Sequence, residues 1–168
     1  LATHVEGGNV AYSKVTKDMT QINALYDVIG QVDLSKADDL ERKAFYINAY
    51  NLIVIRQIAT YYPMKSALDQ NGFFDKVKHK VAGEALTLDQ VEKGRVILKY
   101  RDPRVHFAFS CAAKGCPPLA NFAFRAEQLD EQLDKRTGQA LKAMRIVRYN
   151  KQQSIDMLRK IFDWYQRD

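Results

Sequence analysis

The sequence predicts an α+β fold: a mostly helical single domain packed around a small β-sheet, spanning residues 1–168. Three observations carry that expectation. Apolar residues recur at helical spacing through several long segments, while strict alternation is confined to short ones. The short segments do not alternate with helices in the regular order that builds a parallel sheet. No repeat, low-complexity tract or linker interrupts the 168 residues, a length that suits one domain with a real core.

Taken in order, residues 16–30 place Ile22, Leu25, Tyr26 and Ile29 at helical spacing, with Gly30 as the expected stop. A second helix is predicted from about Asp38 to Tyr62, ending before Pro63. Its middle, residues 44–59, is apolar nearly all round, which predicts a central helix packed on several sides. Residues 73–88 read as a hairpin: Val77, His79 and Val81 alternate with Lys76, Lys78 and Lys80, and Gly83 supplies the turn. Thr87 and Gln90 make a capping box for a helix reaching about Lys99. Asp102-Pro103 breaks that helix. Val105, Phe107 and Phe109 then alternate with His106, Ala108 and Ser110, as a strand should. Leu129, Leu133, Ala140 and Leu141 mark a further helix and residues 146–149 a short strand. Ser154 caps a last helix carrying Ile155, Leu158, Phe162 and Tyr165.

Composition narrows the function classes. The apolar and charged fractions, 46% and 27%, are those of an ordinary globular protein. Arg56 breaks the longest apolar stretch, so no membrane span is expected. The net charge of +6 favours anionic partners. The positive residues are spread out, however, with no arginine-rich stripe and no aromatic–basic interleaving, so nucleic acid is not expected as a partner. The N-terminus lacks the layout of a signal peptide, which a cytosolic protein and a processed exported one would share.

The chemistry-bearing segment is Ser110-Cys111-Ala112-Ala113-Lys114-Gly115-Cys116-Pro117-Pro118, a shaped loop of small residues, Gly and Pro-Pro. A helical turn over residues 112–114 would put Cys111 at its N-terminus, where unpaired amides and the helix dipole lower a thiol's pKa. The alternative is a Cys111–Cys116 disulfide. Residues five apart in a helix have Cα atoms roughly 8–9 Å apart, whereas bridgeable pairs need less than about 7 Å. The bridge therefore requires a curled loop, which Gly115 and Pro117 permit. His106 is the natural base, yet five residues of extended strand separate it from Cys111 by roughly 16 Å, which favours a structural histidine. His79 falls on the apolar face of its hairpin and is expected to pack there. Glu92 borders an apolar stripe, either in an i,i+3 surface ion pair with Arg95 or as an acid that orients His106. Asn48 and Asn51 interrupt the central helix, tying it to a loop or lining a pocket. His106, Cys111 and Cys116 offer only three zinc ligands with no C-x-x-C pair, so neither a metal nor a cofactor is expected.

Three stretches together resemble a known family: Phe45-Tyr46-Ile47-Asn48-Ala49-Tyr50-Asn51, Leu88-Asp89-Gln90-Val91-Glu92-Lys93-Gly94 and, most specific, the block from Asp102-Pro103-Arg104 through His106 and Cys111 to Cys116-Pro117-Pro118-Leu119. They look like the family catalogued as domain of unknown function 547, with a family-like core over about residues 40–165. Residues 9–12 and 161–165 add smaller matches. The last of these usually continues with an acid and an aromatic, whereas this chain stops at Asp168, so the resemblance leaves open whether a C-terminal segment is missing. The resemblance implies an exported protein, periplasmic or extracellular. It also gives a weak hint of thiol chemistry, since some members are fused to glutaredoxin-like domains. Asn48, Asn51, Glu92, Arg104, His106, Cys111 and Cys116 match the family pattern and are expected to share one site.

Two functions are expected to compete. The first is a thiol-dependent hydrolase or transferase acting on an amide, acyl or thiol-containing substrate. Cys111 is then the nucleophile, His106 the base and Glu92 the orienting acid, while Asn48, Asn51, Arg104 and Cys116 contact substrate. Arginine's fork would favour an anionic small-molecule or peptide ligand. The second is a non-catalytic ligand- or peptide-binding module stapled by a Cys111–Cys116 disulfide. A thiol–disulfide redox protein is weaker, because the spacing is not C-x-x-C.

Overall fold

A computed structural model describes residues 5–6, 8–111 and 117–146. In chain order come strands β1 (Val5–Glu6) and β2 (Asn9–Val10), then helices α1 (Tyr12–Val15), α2 (Thr20–Gln31) and α3 (Asp39–Tyr61). Strands β3 (His79–Val81) and β4 (Glu84–Leu86) follow, then a π-helix (Gln90–Ile97) that runs into the single turn α4 (Leu98–Tyr100). A 3₁₀ helix (Pro103–Phe107) and the long α5 (Leu129–Ile146) complete the described elements, with lesser 3₁₀ turns at Ala67–Asp69 and Ala126–Gln128. The fold is mostly helical α+β, and its small sheet is two separate antiparallel ribbons, β1–β2 and β3–β4.

Helix α3 is the axis of the core. It starts at a full capping box, in which Asp38 accepts from the Glu41 amide at 2.8 Å and Glu41 accepts from the Asp38 amide at 2.8 Å. It ends where Pro63 forbids continuation. Ile47, Ala49 and Ile53 are fully buried, and Tyr50, Val54, Ile55, Ile58 and Ala59 nearly so, on all sides of the helix. Each aliphatic side chain buried this way contributes roughly 1.5–3 kcal/mol. The π-helix, α2, α1 and the 3₁₀ turn at Ala126–Gln128 cover it. This is the central helix expected from residues 44–59.

Helix α2 turns Ile22, Tyr26 and Ile29 inward but leaves Leu25 and Val28 exposed. Gly30 does not stop it: the helix runs on to Gln31. The glycine instead allows the β3–β4 hairpin to dock, since a Cβ there would lie 3.3 Å from the Lys80 carbonyl oxygen. The Ala82 and Gly83 amides then donate to the carbonyls of Ile29 and Gly30 at 2.8 and 3.0 Å.

The hairpin is shorter than expected, pairing only residues 79–81 with 84–86, because the chain before it coils as a turn that returns the Val77 amide to the Gly72 carbonyl. Its two-residue turn has positive φ at both Ala82 (48°) and Gly83 (82°), the backbone that matches strand twist. His79 and Val81 face the core and Lys80 faces out, as alternation requires.

Thr87 and Gln90 do exchange capping hydrogen bonds, at 2.9 and 3.2 Å. The helix they open is π rather than α, however. The larger departure is at residues 105–110, expected as a strand: residues 105–107 belong to the 3₁₀ helix Pro103–Phe107 and residues 108–110 to no strand. Asp102 caps the helix by accepting from the Arg104 amide at 3.1 Å, and Pro103 occupies its first turn. Cap and proline set a helical start, which overrides a short alternation of apolar residues. Val105 is the helix's buried residue, and Ala108 and Phe109 just beyond it are buried as well. Of the expected strand at 146–149, Ile146 ends α5, while the remainder and the last helix lie outside the described residues.

Candidate functional site

Asn48 and Asn51 are three residues apart on α3, so their side chains leave the same face. Each uses both ends of its amide on a loop backbone. Asn48 donates from Nδ2 to the Phe124 carbonyl at 2.8 Å and accepts from the Phe124 amide at 2.9 Å. Asn51 donates to the Ala108 carbonyl at 2.9 Å and accepts from the Ser110 amide at 3.0 Å. The helix thereby grips the chain on both sides of the cysteine loop. Of the two readings made for these residues, tying helix to loop is what their hydrogen bonds do.

Asp102 and Arg104 form an ionic knot at the start of the 3₁₀ helix. The buried ammonium of Lys43 lies 2.6 Å from Asp102. Arg104 reaches Asp102 at 3.0 Å, Asp130 at 2.7 Å and Asp134 at 2.6 Å, tying the 3₁₀ helix to α5. Burial works to raise the Asp102 pKa, but hydrogen bonds from Arg104 and Lys43 prevail and hold it well below the usual carboxylate range. Hydrogen bonds that Arg104 donates to Asp102, Asp134 and Asp130 push its pKa up. Three carboxylates meet the guanidinium that was expected to offer its fork to an anionic ligand.

Glu92 sits half-buried on the π-helix and His106 half-buried on the 3₁₀ helix, and those two helices pack against each other. Arg95, one of the partners considered for Glu92, reaches Glu84 on β4. His106, Glu92 and Cys111 all have partners. The compact turn at Pro103–Phe107 removes the premise that an extended strand separates His106 from Cys111. Cys111 is half-buried and is one half of a disulfide. Its sulfur is thus not a thiolate in this form. The chain's other cysteine, Cys116, lies with the rest of residues 112–116 outside the described residues, as does the helical turn expected there.

Beyond the loop, the Leu119 amide donates to the Gly8 carbonyl at 3.0 Å. A Cβ on Gly8 would sit 2.2 Å from that of Pro118, so only glycine lets the N-terminal ribbon reach this strand of loop. Arg136 on α5 donates from Nη2 to the Pro118 carbonyl and from Nη1 to Gln139 at 3.0 Å. Sequence reasoning missed this arginine. The signal was available: Arg136 falls in the buried stripe of Leu129, Leu133 and Ala140, where a cation is out of place.

Among the described residues no group of three or more His, Cys, Asp or Glu could hold a metal ion, and no helix is long and apolar enough to cross a membrane.

The fold and site together define a mostly helical α+β domain that presents a clamped loop beginning at a disulfide-bonded cysteine. The chain belongs to the family described as protein of unknown function, DUF547, whose model matches residues 34–139. No curated protein and no solved structure matches it.

Proposed function

We propose that this chain is a non-catalytic ligand- or peptide-binding module whose cysteine loop is stapled by a Cys111–Cys116 disulfide. The observation that carries this reading is the disulfide at Cys111, which occupies the sulfur that a thiol enzyme would need. The asparagine clamps support it, since they hold the loop's approaches and leave little of either amide for turnover of a substrate. A persistent disulfide also fits a periplasmic or extracellular setting. The test combines intact mass with timed iodoacetamide labelling near pH 6. The module reading expects a mass about two daltons light and no labelling before reduction. Reduction should then cost about 2 kcal/mol, the chain-entropy value for a ring of about six residues. Binding to a peptide library should survive His106→Ala. Rapid labelling of Cys111 in the untreated protein would sink the reading.

One observation favours the second reading, a thiol-dependent hydrolase or transferase on an amide, acyl or thiol-containing substrate. The helices bearing Glu92 and His106 are in contact, and π-helical segments are frequent at functional sites. In that reading a dithiol reductant frees Cys111 as the nucleophile, His106 is its base and Glu92 orients His106. Ester or amide hydrolysis should then appear only after reduction and vanish in Cys111→Ser.

A further inference from the structure

Arg136 is 6% exposed, yet no carboxylate pairs with it among the described residues. Its donors reach one backbone carbonyl and one side-chain amide oxygen, and its buried Nε has no acceptor. That is an unusual state for a guanidinium. Burial pushes its pKa down, but arginine does not shed its proton in proteins, so the charge stays and demands an anion. A purely structural tie between α5 and the Pro118 carbonyl would be served by a neutral donor at lower cost. Pro118 and Gln139, which border the charge, are themselves exposed.

We propose that Arg136 anchors a binding site for a carboxylate, at the rim formed by Pro118 and Gln139 beside the cysteine loop. A carboxylate fits better than a phosphate dianion on charge. One guanidinium neutralises one negative charge, and a monoanion leaves no net charge buried there. The planar fork, with Nε open, also matches a carboxylate's two oxygens. Binding requires no covalent step. The incoming carboxylate accepts from Nε–H and from Nη2, which share one edge of the guanidinium, alongside the Pro118 carbonyl, and leaves Gln139 on Nη1. This names the ligand class of the module proposed above and to that extent rests on it. The carboxylate belongs either to a small acid or to the free C-terminus of a peptide.

The experiment titrates the full chain with sodium acetate, with a tripeptide bearing a free C-terminus, with the same tripeptide amidated and with inorganic phosphate. Sodium chloride of equal ionic strength is the control. The readouts are the arginine Nε–Hε resonances, with that of Arg136 assigned by its loss in Arg136→Lys, and the Tm. Expected is a saturable shift of the Arg136 resonance with acetate. Near ten times Kd the Tm should rise by about 3–6 °C beyond the chloride control. Arg136→Met should fold with an unchanged or higher ligand-free Tm, because an apolar side chain replaces an unpaired buried charge, and should lose the acetate effect. If Arg136→Met does not fold, the resonance titration of the wild type decides alone. A stronger response to the free than to the amidated tripeptide assigns the source as a peptide terminus, and equal, weak responses to both with a clear one to acetate assign it as a small acid. No movement of the Arg136 resonance with either carboxylate, or movement with inorganic phosphate alone, overturns the inference. It fails without touching the module reading if Cys111 stays bonded while carboxylates are ignored. It survives that reading's failure if carboxylates bind a chain whose Cys111 labels rapidly.

Discussion

Replacing Asn51 by alanine removes two hydrogen bonds without removing the groups they satisfied. The Ala108 carbonyl and the Ser110 amide, bonded to Asn51 at 2.9 and 3.0 Å, are left facing a small void on the buried side of α3. A buried backbone group stripped of its partner costs roughly 1–3 kcal/mol. Ser110 is half-buried, so water recovers part of its share. The expected loss is therefore about 2–4 kcal/mol, a large part of the roughly 5–15 kcal/mol that holds a domain folded. Urea unfolding followed by circular dichroism measures it, read as a fall in midpoint at constant slope. Asn48→Ala breaks an equivalent pair of bonds at a half-buried site and should cost less, about 1–2 kcal/mol. Asn51→Asp sharpens the test. Its carboxylate still accepts from Ser110 but sets an oxygen against the Ala108 carbonyl, so burial and repulsion raise its pKa in the folded state. A raised folded pKa places the variant's stability below the unfolded value of about 4 and removes it as pH rises. Asn51 does not clamp the loop if Asn51→Ala costs under about 1 kcal/mol, or if Asn51→Asp grows more stable towards neutral pH.

Asp102→Asn keeps the cap on the 3₁₀ helix but strands the buried Lys43 ammonium, and should cost about 2–4 kcal/mol at pH 7 by thermal or urea unfolding. Because the folded Asp102 pKa is lowered, that stability is complete above its unfolded value near 4 and fades below it, so the gap between variant and wild type must narrow in acid. His79 is buried with its Nδ1 3.1 Å from the Tyr26 hydroxyl, and desolvation, aided by the Arg56 charge, lowers its pKa to about 4. The unfolded chain then binds the extra proton first, so the wild type should lose stability as pH falls from about 6.5 through about 4, a slope that His79→Gln should flatten. Ala82 holds a left-handed φ of 48°. Relief of roughly 1–2 kcal/mol of strain, offset by roughly 0.5–1 kcal/mol of glycine flexibility, makes Ala82→Gly stabilising by about 0.5–1 kcal/mol in a thermal melt.

What the sequence determined by itself was what neighbouring residues settle among themselves. The span of α3 follows from an acidic cap before it, a proline after it and an apolar run between them. The Thr87–Gln90 box and the Ala82-Gly83 turn are likewise exchanges between residues two or three apart. The family was legible for a related reason, since a motif is a local string. Tertiary structure decided the rest. The 3₁₀ helix at Pro103–Phe107 is the exception, set locally by the Asp102 cap and Pro103 against the strand-like alternation of Val105, Phe107 and Phe109. Gly30 read as a stop because its real neighbour, Lys80, is fifty residues away in the chain. Arg104 meets Asp130 and Asp134 because the fold brings α5 to it. The charge on Arg136, the clamps of Asn48 and Asn51 and the bonding of Cys111 are also facts about partners brought together by folding. Periodicity and caps act within a turn or two of the chain, whereas the pairing of a buried polar group depends on which distant segment arrives to meet it.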